Sequence, residues 1–219
     1  KAVYASWGKG KFDPRFNHDG LNNPVVIPPA FGLYGLPKVI FTGDGDVQHE
    51  SVGPVAYWNR YVAVTEMGGH GKFSDSRTGL NIDNTGGGAD LVTDKLPALQ
   101  AYQFSLAAPQ APAGSFDVTA AARGKILFNN KAQCATCHSG PRFTDVTNGG
   151  MLHPQSASVA TDKDYVNRSA TKQWRVTPLK GIWQHAPYFH DGSAATLAAV
   201  VDKYNTARNL GLTSQEKTD

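Results

Sequence analysis

Cys134, Cys137 and His138 stand in the order C-x-x-C-H, and these residue types at this spacing can do chemistry. Two thiols two residues apart can add across the vinyl groups of a porphyrin. The imidazole that follows the second thiol can then ligate the iron. This order is the attachment signature of a c-type haem. Such a cofactor brings redox chemistry that no side chain supplies. The expected cofactor is haem c, covalent and one per chain. Cys134, Cys137 and His138 bind it, and His138 is the proximal iron ligand.

Other readings of these residues stay open. The chain has two cysteines and both lie in this motif, so a four-thiolate zinc site has no second pair. A zinc site of two cysteines and two histidines would draw on His185 and His190, the pair closest to the needed spacing. A thioredoxin-like dithiol needs a βαβ setting, whereas the preceding residues read as a helix. A disulfide inside the motif is the plainest alternative.

The elements that must position this motif are partly periodic. Val118 to Asn129 reads as a helix, with Asp117 or Thr119 as its N-cap. Gly124 within it allows close approach to another helix or to the porphyrin edge. Gly140-Pro141 prevents a helix from continuing past His138. Further on, Leu197, Val200, Val201 and Tyr204 fall at i, i+3, i+4 and i+7, one face of a helix. Asp191 or Ser193 is expected to cap its start. Thr213 to Glu216 forms a capping box three residues before the end. It reads equally as a frayed tail or as a sequence that stops short of the natural terminus.

Upstream, residues 1–112 are rich in Gly, Pro and Asn, as in Asn22-Asn23-Pro24 and Gly86-Gly87-Gly88. Aromatic residues such as Trp7, Phe31, Tyr57 and Trp58 are spread through it, so it is not of disordered composition. Pro97 to Phe104 reads as a helix with Pro97 in its first turn. Ala107 to Gly114 reads as an extended connector. The expected organisation is a loop-rich region over 1–112, with a helix near 97–106, then a cytochrome c haem domain over 113–219. The expected fold class is mainly α, a cytochrome c-like haem domain with long loops.

Net charge is +3, and no lysine or arginine run exists, so nucleic acid is not an expected partner. A diffuse positive face can steer an acidic redox partner. No run of 18 apolar residues occurs, so no membrane span is expected. The sequence starts at Lys1 rather than Met. Covalent haem attachment belongs to an oxidising compartment, so a processed or trimmed periplasmic chain is expected.

Longer stretches carry a family resemblance. Ala121 to Phe128, Cys134 to His138 and Gly140 to Asp145 resemble the bacterial dihaem cytochrome c peroxidase and MauG superfamily. So do Arg175 to Gly181, Ala186 to Ser193 and Thr196-Leu197, which are similar to the signature "TPxLRG…PYFHDGS…TL" of its C-terminal haem domain. The resemblance covers about 96 to 216. Upstream, Trp7-Gly8-x-Gly10-x-Phe12-Asp13 resembles the segment after the first haem of some members. Members carry two C-x-x-C-H motifs and this chain carries one. Either a first haem domain lies upstream, or the chain is a monohaem relative.

The resemblance implies Tyr204 as sixth iron ligand, where relatives place Met or Tyr; core packing is its competing role. Met151 is a second candidate, because a thioether there would raise the potential. His190, beside Asp191, can orient haem propionates or line the distal side. His153 and His185 are weaker candidates, and His70 lies in a Gly-rich loop within reach of another haem or chain. Arg142 and Arg175 can pair with propionates in the planar two-bond geometry of guanidinium and carboxylate. Trp174 and Trp183 can pack on the porphyrin or in the core.

Three functions follow. The chain is an electron carrier within a dihaem peroxidase-like redox system, or a haem peroxidase or oxidase acting on hydrogen peroxide or another substrate, of which it is the C-terminal part. A scaffold subunit of a larger redox complex is the third. Glu216 is the only glutamate in residues 113–219. That scarcity of acid–base groups favours electron transfer. The expected partner is a redox protein or a second haem domain.

Overall fold

The computed structural model describes residues 1–219 apart from the side chain of Asn17. Helix is the main regular element: α1 (Ala2–Trp7), α2 (Phe16–Asp19), α3 (Pro54–Tyr61), α4 (Leu96–Ser105), α5 (Val118–Asn129), α6 (Asp164–Asn167), α7 (Leu197–Ala207) and α8 (Ser214–Thr218). Sheet is confined to antiparallel two-stranded pairs: β1 (Lys11–Phe12) with β2 (Val25–Val26), β3 (Lys38–Val39) with β4 (Gly45–Asp46), and β5 (Lys72–Asp75) with β6 (Leu80–Asp83). Long loops join these elements.

The larger core lies in the loop-rich half. Val55, Ala56, Tyr57 and Tyr61 of α3 pack there with Leu36, Val39, Ile40, Phe73 and Leu96. Aromatic edges hold it together, with Phe73 at 5.5 Å from Tyr57 and 5.1 Å from Tyr61 between ring centroids. A smaller core joins Val25 and Phe41 to Tyr165, Val166 and Trp174. Polar contacts tie the same segments. Arg168 donates to Asp13 and Asp19, and the Thr171 hydroxyl to the Thr42 carbonyl. Residues 144–176 thus pack on residues 12–46.

Helices α5 and α7 contribute no buried residue to either core. Asp117 caps α5, accepting from the Thr119 and Ala120 amides. Neither Asp191 nor Ser193 caps α7; Thr196 does, through the Ala199 amide. Asp191 is spent on the amides of Asp162 and Ser193 instead. The capping box of Thr213 and Glu216 starts α8. Gly124 abuts Asp219: a Cβ there would collide with the Asp219 carbonyl oxygen. Its close approach is to that residue, with which Arg123 pairs.

Candidate functional site

Cys134–Thr136 form a 3-10 turn after α5. The Cys137 and His138 amides both donate to the Cys134 carbonyl, at 3.3 and 2.9 Å. This turn lets Cys134, Cys137 and His138 open onto one cavity. Both cysteines are free thiols. Burial pushes the Cys134 thiol up.

His138 is held on two sides. Its Nδ1 lies 3.0 Å from the Phe143 carbonyl oxygen, which accepts from it in the Nδ1–H tautomer. Phe128 of α5 stands 6.5 Å away between rings. The loop that brings Phe143 back has positive φ at Gly140 (66°) and at Phe143 itself (55°). A bond of this kind at Nδ1 leaves Nε2 as the ligating nitrogen and fixes the ring plane. Burial lowers the His138 pKa, which keeps the imidazole neutral, as a metal ligand must be.

The cavity, of about 290 Å³, is walled mainly by apolar side chains. Leu197, Val200 and Tyr204, on the apolar stripe of α7, face it together with Phe41, Leu179, Ile182 and Phe189. The stripe therefore lines a ligand-sized space rather than a protein core. Burial raises the Tyr204 pKa, and the nearby cysteines add to the rise.

Polar groups enter this wall at chosen points. Arg175 is 5 % exposed and lines the cavity. Its guanidinium donates to the carbonyls of Ile40 (2.7 Å) and Val176 (3.4 Å). It forms no ion pair among the described residues. Burial pulls its pKa down to about 10, the mark of a cation without a counter-charge. The indole Nε1 of the neighbouring Trp174 is buried with no hydrogen-bond partner among the described residues. His190 is buried between Trp174 (4.4 Å) and Tyr165 (5.4 Å), its Nε2 3.3 Å from Asp162.

These observations test the fit of a haem. A porphyrin has an apolar face and two carboxylates. The wall offers apolar side chains, a buried cation lacking an anion, an orphaned indole N–H, two free thiols and a held imidazole. The residues present fit the group. Zinc has a weaker case: Cys137, Asp145 and His153 place ligand atoms within 4.8 Å of one another, but they share Cys137 with the haem motif. His185 and His190 also line the cavity.

The structure brings Cys134, Cys137, His138, Arg175, His190 and Tyr204 to one cavity. It does not bring Arg142 or Met151 there. Arg142 lies over the Tyr34 ring at 5.8 Å, and Met151 is 45 % exposed outside the lining. Trp183 is half-exposed and donates to the Pro109 carbonyl, and His70 is exposed. The pairing of His153 with Asp145, at 2.7 Å, escaped the sequence reading, because loop residues eight apart carry no period. A second cavity lies among Arg15, Tyr57, Arg77 and Arg168, with its charges paired internally to Asp44, Asp75 and Asp13.

The family described as "RoxA-like, cytochrome c-like" matches residues 174–209, which run from Trp174 through α7. The methylamine utilization protein MauG of Methylorubrum extorquens is 32% identical over 120 residues, 49% of this chain and 33% of that protein. A cytochrome-c peroxidase of Denitromonas iodatirespirans is 28% identical over 141 residues, 45% of this chain and 38% of that protein. The chain thus spans little more than a third of the length of these relatives. A solved MauG-like protein associated with microbial copper homeostasis shares the fold, with a TM-score of 0.54 over 89% of this chain and 70% of that one, at 17% identity. Kinship with the MauG and dihaem cytochrome c peroxidase superfamily is supported by the family match and the curated relatives, and the solved neighbour has the same fold.

Proposed function

With that superfamily as its kin, we propose that the chain is a c-type cytochrome unit. One haem is held through Cys134 and Cys137 and ligated by His138, and the unit transfers electrons within a dihaem peroxidase-like redox system of the periplasm. The observation that carries this is the meeting of both thiols, His138 and the unpaired Arg175 at one apolar cavity. No helix among the described residues is long and apolar enough to cross a membrane.

Bound there, the haem supplies one-electron redox chemistry. The chain's residues do the rest. The Phe143 carbonyl orients His138. Arg175 offers a planar pair of donors to a propionate, which a buried cation needs. Trp174 Nε1 offers one more. Apolar residues of α7 exclude water from the porphyrin face. Tyr204 is the proposed second protein ligand; burial raises its pKa, so it would hold the iron only by giving up its proton.

A ligand at the sixth position leaves peroxide no place, so Tyr204 ligation means electron transfer. The second reading is a haem peroxidase or oxidase, reducing hydrogen peroxide or oxidising a substrate, with this chain as its C-terminal part. The names of the two curated relatives favour it. The visible spectrum of the ferric protein before and after hydrogen peroxide decides. A low-spin spectrum that peroxide leaves unchanged supports the electron carrier. A high-spin spectrum that peroxide alters supports the second reading.

A further inference from the structure

Asp145 opens the turn that follows the haem motif, and it is 3 % exposed. Its backbone is pinned. The Thr144 hydroxyl donates to the Val176 carbonyl (2.6 Å) and accepts from the Val146 amide (3.3 Å). One carboxylate oxygen, Oδ2, lies 2.7 Å from His153 Nε2. The other, Oδ1, is buried with no hydrogen-bond partner among the described residues. His153 is pinned in turn, exchanging backbone bonds of 2.7 Å in both directions with Trp174.

This carboxylate sits beside the haem anchor. Ligand atoms of Asp145, His153 and Cys137 lie within 4.8 Å of one another. The Asp145 charge also acts on the His138 ring, opposing the stronger effect of burial there. A buried carboxylate with one oxygen left unpaired is costly, so its retention calls for a reason. His153 faces Oδ2 alone and leaves Oδ1 without a partner among the described residues, and Cys137 and His138 bring no cation of their own.

Iron supplies the reason. The ferric centre carries one more positive charge than the ferrous centre. A fixed negative charge in a low-dielectric setting stabilises the ferric form, and water screens it little. Charge and hydrogen bonding around the cofactor are among the protein's levers on potential. We propose that Asp145, positioned by His153, is a fixed charge that lowers the reduction potential of the haem anchored at Cys137. The proposal rests on the haem reading above and adds a positioning pair to it.

The test uses the full chain expressed with haem maturation, titrated by spectroelectrochemistry at one pH. The variants are Asp145→Asn, which removes the charge at nearly constant shape, and His153→Leu, which removes the ring nitrogen facing that charge. Asp145→Asn is expected to raise the midpoint potential. His153→Leu is expected to lower it, because the carboxylate then loses its hydrogen bond and its charge is less compensated. A purely structural role would not move the two variants in opposite directions. If Asp145→Asn fails to fold, His153→Leu decides alone: a lowered potential supports the proposal, and an unchanged or raised one overturns it. Shifts of the same sign, or no shift in a haem-loaded Asp145→Asn, overturn it as well. Wild-type protein without haem overturns the reading beneath, and the proposal with it.

Discussion

Arg175 donates from its side chain to the carbonyl oxygen of Ile40, 135 residues earlier in the chain, at 2.7 Å. Its own amide donates to the Phe41 carbonyl at 2.8 Å. One residue of the C-terminal half is thus built into the loop-rich half, with its charge left at the cavity wall. Backbone carbonyls satisfy hydrogen-bond geometry, but they do not neutralise a buried cation.

That arrangement predicts a lower potential and a lower stability on Arg175→Met. The propionate would lose its charged partner. Covalent links keep the haem attached, so the readout is potential and stability. The potential is expected to fall, since a positive charge near the iron is removed. Removing the bonds to Ile40 and Val176 is expected to cost about 1–3 kcal/mol of stability. Redox titration and a urea melt check both. An unchanged potential would place the propionates elsewhere.

Tyr204→Phe tests the sixth position. The ring and its contact with Phe189 (6.1 Å) are kept and only the hydroxyl is lost. With Tyr204 as ligand, the ferric spectrum is expected to move from low-spin towards high-spin. With Tyr204 as wall packing alone, the electronic paramagnetic resonance and visible spectra would stay as in the wild type.

The proposed anchor was legible in the sequence because covalent haem attachment demands fixed residue types at fixed spacing. Helix α5 was legible from Asp117 and the apolar residues after it, and α7 from Leu197, Val200, Val201 and Tyr204. The cap of α7 was misread at Asp191 and Ser193, since any short polar side chain near a helix start satisfies the local rule. Tertiary contacts with Asp162 decided it for Thr196. Arg142 and Arg175 looked alike in sequence, yet one lies over Tyr34 and the other lines the cavity. Loops have no period from which to read that difference. The larger core went unseen for the same reason: Tyr57, Tyr61 and Phe73 meet through turns rather than through one repeating face.

Removing the cofactor should expose this division. Helices α5 and α7 bury nothing in the protein's own cores; α5 leads into the haem motif, and Leu197, Val200 and Tyr204 of α7 line the cavity. Cofactor binding therefore adds directly to the stability of the segment from 113 onward. Chain made without haem maturation is expected to show reduced helical circular dichroism and rapid hydrogen exchange in α5 and α7. The α3 core should stay protected. A melt identical to that of the haem-loaded chain would contradict this.

Asp75 sets an acid limit on the loop-rich half. Burial lifts its pKa, but Arg77 (two N–H groups) and the Tyr57 hydroxyl (2.6 Å) outweigh burial and hold it below the usual carboxylate range. A depressed folded-state pKa means that the unfolded chain takes up the proton first as pH falls. The stabilisation is complete above the unfolded value of about 3.9 and is lost as pH drops through the lower folded value. Asp75→Asn should lower stability near neutral pH by about 1–3 kcal/mol, with the gap to wild type closing below about pH 4. Urea midpoints between about pH 2 and 7 check the sign. A gap that stayed constant into acid would contradict it.

The most direct measurement is the intact mass of the denatured, purified full chain, read beside its dithionite-reduced visible spectrum. The mass should exceed that of the polypeptide by one haem, with the sharp reduced bands of a c-type centre, and Cys137→Ser should lose the bond to the second thiol. A colourless chain of unmodified mass, expressed with working haem maturation, would contradict the account.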